Sequence, residues 1–288
     1  MKPVKKAVIP VAGYGTRVLP ATKSIPKELL PLVDRPLIDY VVREAFDAGI
    51  EHVVLVTGRG KGAIEEYFDH AFELQAGLEK KGKDAVLEEV KSVIPEAGAL
   101  SYTRQQAALG LGHAVWCARE IVGDEPFVVS LPDVVVDASP SVVGQMLREY
   151  EKTGGNIIAV EPVAKENTSK YGIVAPKDDA SGKLFEMSAM VEKPDPSVAP
   201  SNLAITGRYV LQPEIFELLE KTERGAGGEI QLTDAMDALM KEQSFFAYEF
   251  DGKSHDCGST LGWLMANIEL GLKNPKTADA LKAYMNDA

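Results

Sequence analysis

Residues Val11–Pro31 read VAGYGTRVLPATKSIPKELLP, directly after the apolar run KAVIP. A glycine turn leaving a buried strand is where α/β proteins bring backbone N–H groups up to phosphate. This segment breaks both common glycine-loop patterns. A GxGxxG dinucleotide loop needs a third glycine where Val18 stands, with a continuous helix behind it. Pro20, Pro26 and Pro31 forbid that helix, because proline removes a donor and clashes with the preceding turn. A Walker loop, GxxxxGK(S/T), does not occur. What remains is a glycine turn followed by a proline-stiffened segment bearing Arg17, Lys23 and Lys27. Arg17 offers bidentate phosphate contacts and Lys27 a compact positive charge. Read alone, GYGTR fits an ordinary strand-to-loop turn equally well.

Further along, HVVLVTG, FVVSLPD and NIIAVEPV repeat the pattern of a β-branched run ending at Gly, Pro or Asp. Such runs suit strands buried on both faces of a mainly parallel sheet. Between the first two strands, Leu37, Ile38, Val41, Val42, Ala45 and Phe46 recur at helical spacing, and Gly49 provides a stop. Strand, helix, strand implies a right-handed βαβ unit. The stretch GHAVWCAREIVG reads as a helix, and ASPSVVGQMLREYEKTGG as another, capped by Ser139 with Pro140 in its first turn. Residues 60–100 read as a charged helical insertion at one edge. YGIVAP, KLFEMSAMVEKP and NLAITGRYVL read as strands, and the remainder as helical with one strand near FFAYEF. The chain is expected to form one α/β domain with a β-rich second half, its parts spanning about 1–150, 151–258 and 259–288, the last helical.

Composition narrows the class. Among 288 residues, 43 acidic against 31 basic side chains give a formal charge of −12, which argues against a nucleic-acid scaffold. The two cysteines, Cys117 and Cys257, form no CxxC and suggest neither a disulfide framework nor a zinc site. No run approaches the roughly 18 apolar residues of a membrane helix. The expectation is a reduced, cytoplasmic protein with no membrane and no nucleic-acid partner.

Four further stretches carry chemistry, and each has a structural reading beside it. In SLPDVVVD, Asp133 follows a buried strand at the edge where α/β proteins bind ligands, a natural position for an Mg²⁺ ligand or for a turn cap. In HDCG, Asp256 offers a second carboxylate, while His255 and Cys257 read as structural. In MVEKPD, Glu192 and Lys193 are neighbours whose side chains point to opposite faces of a strand unless a turn re-aims one. In RQQAALGLGHAV, the Gln105 amide matches the edge of a pyrimidine, and Gly110 and Gly112 allow backbone to approach it or simply open a helix.

Together with SNLAITGRYVL, GAGGEIQLTDAM and HDCGSTLG, these stretches run in order from Val11 to Gly262. The set closely resembles the bacterial UTP–glucose-1-phosphate uridylyltransferases, or UDP-glucose pyrophosphorylases. The resemblance implies a Rossmann-like, GT-A-like nucleotidyltransferase fold, dependence on Mg²⁺, and homo-oligomers, tetramers or dimers. It implies UTP and glucose 1-phosphate as substrates, with UDP-glucose and pyrophosphate as products. Carried across, Ala12, Gly13 and Gln105 contact uracil with Gly110 and Gly112 nearby, and Gly15, Thr16 and Glu28 complete the nucleotide set. Arg17 and Lys27 hold the phosphates, Asp133 and Asp256 the metal. Gly172, Glu192 and Asn202 face the sugar, with Lys193 on its phosphate. One departure is Thr260, where the family usually has lysine. Two alternatives are a glucose-1-phosphate thymidylyltransferase, whose loop usually reads GGSGTR, and a non-catalytic nucleotide-binding homologue.

Overall fold

A computed structural model describes residues 1–178, 181–225 and 228–287; Ala226 and Gly227 of the GAGGEIQLTDAM stretch lie outside them. In chain order, β1 (Lys6–Pro10) leads into three isolated 3₁₀ turns, Thr16–Val18, Ala21–Lys23 and Lys27–Leu29. These short pieces are what the interspersed prolines permit. A hairpin of β2 (Pro31–Leu32) and β3 (Arg35–Pro36) precedes α1 (Leu37–Asp47) and β4 (His52–Thr57). Three helices, α2 (Gly62–Tyr67), α3 (Phe72–Lys80) and α4 (Asp84–Lys91), make the expected insertion. Then come β5 (Leu100–Arg104), α5 (Leu111–Trp116), α6 (Arg119–Val122), β6 (Phe127–Ser130), β7 (Val134–Asp137) and α7 (Val142–Thr153). The second half begins with β8 (Asn156–Pro162), β9 (Gly172–Pro176), β10 (Leu184–Glu192) and β11 (Leu203–Leu211). It closes with α8 (Ile215–Lys221), α9 (Leu232–Leu239), β12 (Phe245–Glu249), β13 (Lys253–Asp256), α10 (Thr260–Gly271) and α11 (Ala278–Asp287).

Nine strands form one mixed sheet in the order β5-β4-β1-β6-β11-β8-β12-β10-β9. The first four are mutually parallel, as the buried β-branched runs imply. β11 then runs antiparallel to both neighbours, and β10 to β12 and β9. Alternation along β1 feeds two separate cores. Ala7 and Ile9 pack on one face with Ile38 and Val41 of α1 and Val143 and Met146 of α7. Val8 packs on the other with Ala114 of α5, Leu219 of α8 and Leu232 and Met236 of α9.

The α1 stripe behaves as its spacing predicts, with Leu37, Ile38, Val41, Val42 and Ala45 buried. Two expectations shift. The helix of ASPSVVGQ is capped by Ser141, whose Oγ accepts from the Gly144 N–H, so Ser139 and Pro140 lie outside it. GHAVWCAREIVG divides into two short helices at Cys117–Ala118.

Candidate active site

The carboxyl ends of β5, β4 and β1 lie side by side. There the Val11 N–H donates to the Val56 carbonyl, Gly58 packs against Ala12, and the Gln105 N–H donates to the Thr57 carbonyl. Ala12, Gly13, Gly15, Thr16 and Gln105 therefore share one sheet edge. Arg17 and Lys27 converge on Asp133: the Lys27 Nζ is 2.6 Å, and the Arg17 Nη2 3.1 Å, from its Oδ2. Burial works to raise the Asp133 carboxyl, but the Lys27 and Arg17 charges and the Lys27 hydrogen bond outweigh it and hold it below the usual range.

Asp133 sits in a turn braced from below. The fully buried Arg208 of β11 donates through Nη1 to the Leu131 carbonyl and through Nη2 to that of Val134, at 3.1 and 2.8 Å. Glu44 of α1 neutralises it, accepting from Nη2 at 2.7 Å. The Asp133 carbonyl in turn accepts from the Cys257 N–H, and β7 pairs with β13 so that Asp256 faces Val134. Both candidate metal carboxylates thus lie on one two-stranded ribbon. Asp256 Oδ1 accepts from the Gly258 N–H. A side chain at Gly258 would come within 2.5 Å of Arg17 Nη2 and 2.8 Å of Asp133 Oδ2, so it would push these two ends from their present contact. Burial and the charges of Asp256 and Asp133 push the Cys257 thiol up to about 12, which keeps it a protonated thiol rather than a nucleophile at neutral pH, and burial lowers His255, which keeps its ring uncharged.

Asp133, Asp256 and Arg17 line a cleft of about 610 Å³ that also holds Tyr171, Gly172, Glu192 and Lys193. A larger open hollow, about 860 Å³, is lined by Met1–Val4 and residues 138–151 and contains none of the expected residues. Lys193 adopts φ +47°, a left-handed conformation rare for a side-chain-bearing residue. That turn is what swings it beside Glu192, Nζ to Oε1 3.2 Å, instead of leaving the pair on opposite faces. Gly172 packs against Glu192 Oε2. Asn202 is exposed and its amide donates to the Val163 carbonyl, outside the cleft lining.

Three residues have settings different from the expected ones. Glu28 is fully buried behind the Lys27 turn, where Oε2 pairs with Lys61 at 2.7 Å and Oε1 has no partner among the described residues. Burial raises its pKa, while the charges of Lys61 and Lys27 hold the rise back. The space beside Gly110 and Gly112 is filled by Glu229–Gln231, and the Gly112 N–H donates to the Ile230 carbonyl, so these glycines seat a protein loop. Thr260 is exposed in the first turn of α10.

Other cleft residues escaped the sequence reading. Glu161 near the end of β8 accepts from Ser254 Oγ of β13, and burial raises its carboxyl. The rule that singled out Asp133, a carboxylate closing a buried strand at the sheet's ligand edge, applies to it equally. Thr206 and Tyr171 of the cleft offered no such signal, nor did Arg208 buried beneath it.

The metal expectation fits this geometry. No group of three or more His, Cys, Asp or Glu converges among the described residues. Mg²⁺ prefers one or two carboxylates completed by water and phosphate oxygens, and Asp133 and Asp256 at the cleft are carboxylates of that kind.

The nucleotidyl transferase family model matches residues 6–270. A UTP–glucose-1-phosphate uridylyltransferase of Bacillus subtilis (strain 168) is 50% identical over 285 residues, covering 99% of this chain and 97% of its own. One from Escherichia coli (strain K12) is 52% identical over 291 residues, covering 99% and 96%. The chain belongs to the UTP–glucose-1-phosphate uridylyltransferases. Solved uridylyltransferase structures superpose on it over nearly their whole length. A UTP-bound enzyme from Acinetobacter baumannii gives a TM-score of 0.92 at 46% identity, covering 98% of both chains. A UDP-glucose pyrophosphorylase complexed with UDP-glucose gives 0.86 at 44%, covering 94% of this chain and 100% of the other.

Proposed function

We infer that the chain transfers a uridylyl group from UTP to glucose 1-phosphate, forming UDP-glucose and pyrophosphate. The observation that carries this is the convergence of Lys27 and Arg17 on Asp133, beside Asp256 on the same ribbon, in a cleft that also bears Lys193 and Glu192. Two anions must be brought together, and cations face the cleft from both the nucleotide loop and the sugar side. The sugar phosphate attacks the UTP α-phosphorus in line, the new P–O bond forming as the bond to pyrophosphate breaks. A phosphate monoester has a second pKa of about 6, so the nucleophile is already largely anionic at neutral pH and no general base is needed. Catalysis is then positioning and charge neutralisation.

In this reading Lys27 and Arg17 hold the triphosphate and Lys193 the sugar phosphate. Gly172 and Glu192 face the sugar hydroxyls, with Asn202 at its margin. Ala12, Gly13, Gly15, Thr16 and Gln105 receive the nucleotide, while Glu28 acts from behind by anchoring the Lys27 turn. Asp133 and Asp256 would hold a divalent metal, Mg²⁺ by their donor type, which supplies positive charge to the α-phosphate and leaving group. The nucleotide part is about 1–150, the sugar-phosphate part about 151–258 and the helical tail 259–288. Leu261, Leu264 and Met265, all exposed on α10, supply an apolar face consistent with a homo-oligomer. We place the enzyme in the cytoplasm; no helix among the described residues is long and apolar enough to cross a membrane.

The test is pyrophosphate release across a matrix of nucleotides and sugar 1-phosphates. UTP with glucose 1-phosphate and Mg²⁺ is expected to be the best combination. Folded protein that is silent there would overturn the proposal, and a preference for dTTP would replace it with the thymidylyltransferase reading.

A further inference from the structure

Gln105 is buried at the end of β5, and the surroundings of its amide are unusually one-sided. Its Nε2 lies 3.0 Å from the Gly110 carbonyl and 3.0 Å from His113 Nδ1. An amide nitrogen has two hydrogens, and these two partners use both. The Gly110 carbonyl can only accept, so it decides which end of the amide faces it; the reverse orientation would oppose two oxygens. His113 Nδ1 must then accept as well, which requires a neutral ring carrying its proton on Nε2. Burial lowers the His113 pKa, and the Arg119 and Arg224 charges lower it further, keeping the ring in that state. Cys117 Sγ, 3.8 Å from the same nitrogen, has its thiol pushed up by burial and adds no charge. The ring is stacked on Trp116, centroids 5.8 Å apart, with the Arg119 guanidinium over the far ring at 3.6 Å.

The result is an amide with one free function. No donor among the described residues reaches Gln105 Oε1, so that oxygen is the group left for a ligand. An acceptor at this place suits the N3–H of an imide pyrimidine. It opposes cytosine, whose N3 carries a lone pair and no hydrogen.

We propose that His113, which touches no substrate, is a positioning residue for nucleobase selection: by accepting from Gln105 Nε2 it locks the amide with Oε1 toward the base. The locked amide admits uracil and thymine and rejects cytosine. This rests on the uridylyltransferase reading, with Gln105 facing the base. It also moves the choice between UTP and dTTP away from Gln105, since both bases carry the same N3–H.

The test pairs spectroscopy with kinetics. In ¹⁵N-labelled protein, long-range ¹H–¹⁵N spectra are expected to show His113 Nδ1 unprotonated and Nε2 protonated at neutral pH. An Nδ1–H tautomer would overturn the proposal, and this measurement needs no activity. His113→Leu removes the acceptor, and about tenfold loss in the UTP-over-CTP ratio of kcat/KM is expected, carried by the KM for UTP. The KM for glucose 1-phosphate is expected to stay unchanged. His113→Asn places an amide oxygen near the Nδ1 position and should restore most of the ratio. An unchanged ratio in His113→Leu, or equal losses for UTP and CTP, overturns the positioning role. Failure of the wild type to turn over UTP would instead strike the function, and the tautomer would still decide the His113–Gln105 geometry.

Discussion

The buried Lys61–Glu28 pair makes a quantitative prediction. The two side chains are 7% and 0% exposed and 2.7 Å apart, so water screens them little. At an effective dielectric of about 20, their attraction is on the order of 6 kcal/mol. Lys61→Met keeps most of the aliphatic stem and deletes the charge, stranding Glu28 as an unpaired buried carboxylate. Such losses typically cost 3–5 kcal/mol. Protonation limits the damage, because Glu28 can escape by taking up a proton. From its ordinary value of 4.5, that costs about 3.4 kcal/mol at pH 7, at about 1.36 kcal/mol per pH unit. The expected deficit is therefore about 3.4 kcal/mol at pH 7 and about 1.4 at pH 5.5.

The sign follows from proton counts. In the variant the folded state binds a proton at Glu28 that the unfolded chain, above 4.5, does not. Stability then falls as pH rises and returns as it drops. Thermal melts at fixed protein concentration should show the variant about 7 °C below wild type at pH 7, at about 2 °C per kcal/mol, and about 3 °C below at pH 5.5. Lys61→Met/Glu28→Gln removes the stranded charge and should recover to within about 1 kcal/mol of wild type. A variant matching wild type at pH 7, or a deficit that widens on acidification, would refute the reasoning.

Asp133→Ala and Lys193→Ala are each expected to lose on the order of 10²-fold or more in kcat/KM, the exposed Lys193→Ala with an unchanged melting temperature and Asp133→Ala with a lowered one because Lys27 loses its buried partner; wild-type turnover in either removes that residue's role. Arg208→Met leaves Glu44 and two carbonyls beside Asp133 without their partner, and should cost about 3 kcal/mol or more by denaturant unfolding. A loss under 1 kcal/mol would show that Arg208 is not the brace of that turn. Cys257, with its thiol pushed up to about 12, should resist iodoacetamide at pH 8 in the native protein and react once unfolded. Native labelling at the rate of a free thiol contradicts its burial.

Much of the frame is legible in the residues themselves. The β-branched runs of β1, β4, β6 and β8 and the stripe of α1 announce their elements because period and burial agree locally. Asp133, Asp256, Arg17 and Lys27 are visible because each sits beside a strand end or a glycine turn. What stays hidden depends on partners far away in the chain. Arg208 reads as a surface charge in NLAITGRYVL until β11 brings it to Glu44, 164 positions earlier. Glu28 looks like a neighbour of Lys27 on the ligand side, but a single 3₁₀ turn sends adjacent side chains in different directions. At Gly110 and Gly112 the side where a Cβ would stand is occupied by Glu229–Gln231, a loop over a hundred residues on that local sequence gives no reason to expect. The left-handed turn at Lys193 is a backbone state that its side chain gives no reason to expect.

The β7–β13 ribbon has a mechanical consequence. It is hydrogen-bonded apart from the nine-stranded sheet, and it carries Asp133 and Asp256 at the same end, joined by the Cys257–Asp133 backbone contact. The distance between the two carboxylates is therefore gauged by one rung of a short ladder, independent of how far the walls of the cleft stand apart. If the sugar side breathes, the pair travels as one piece, and what changes is its reach toward Lys193.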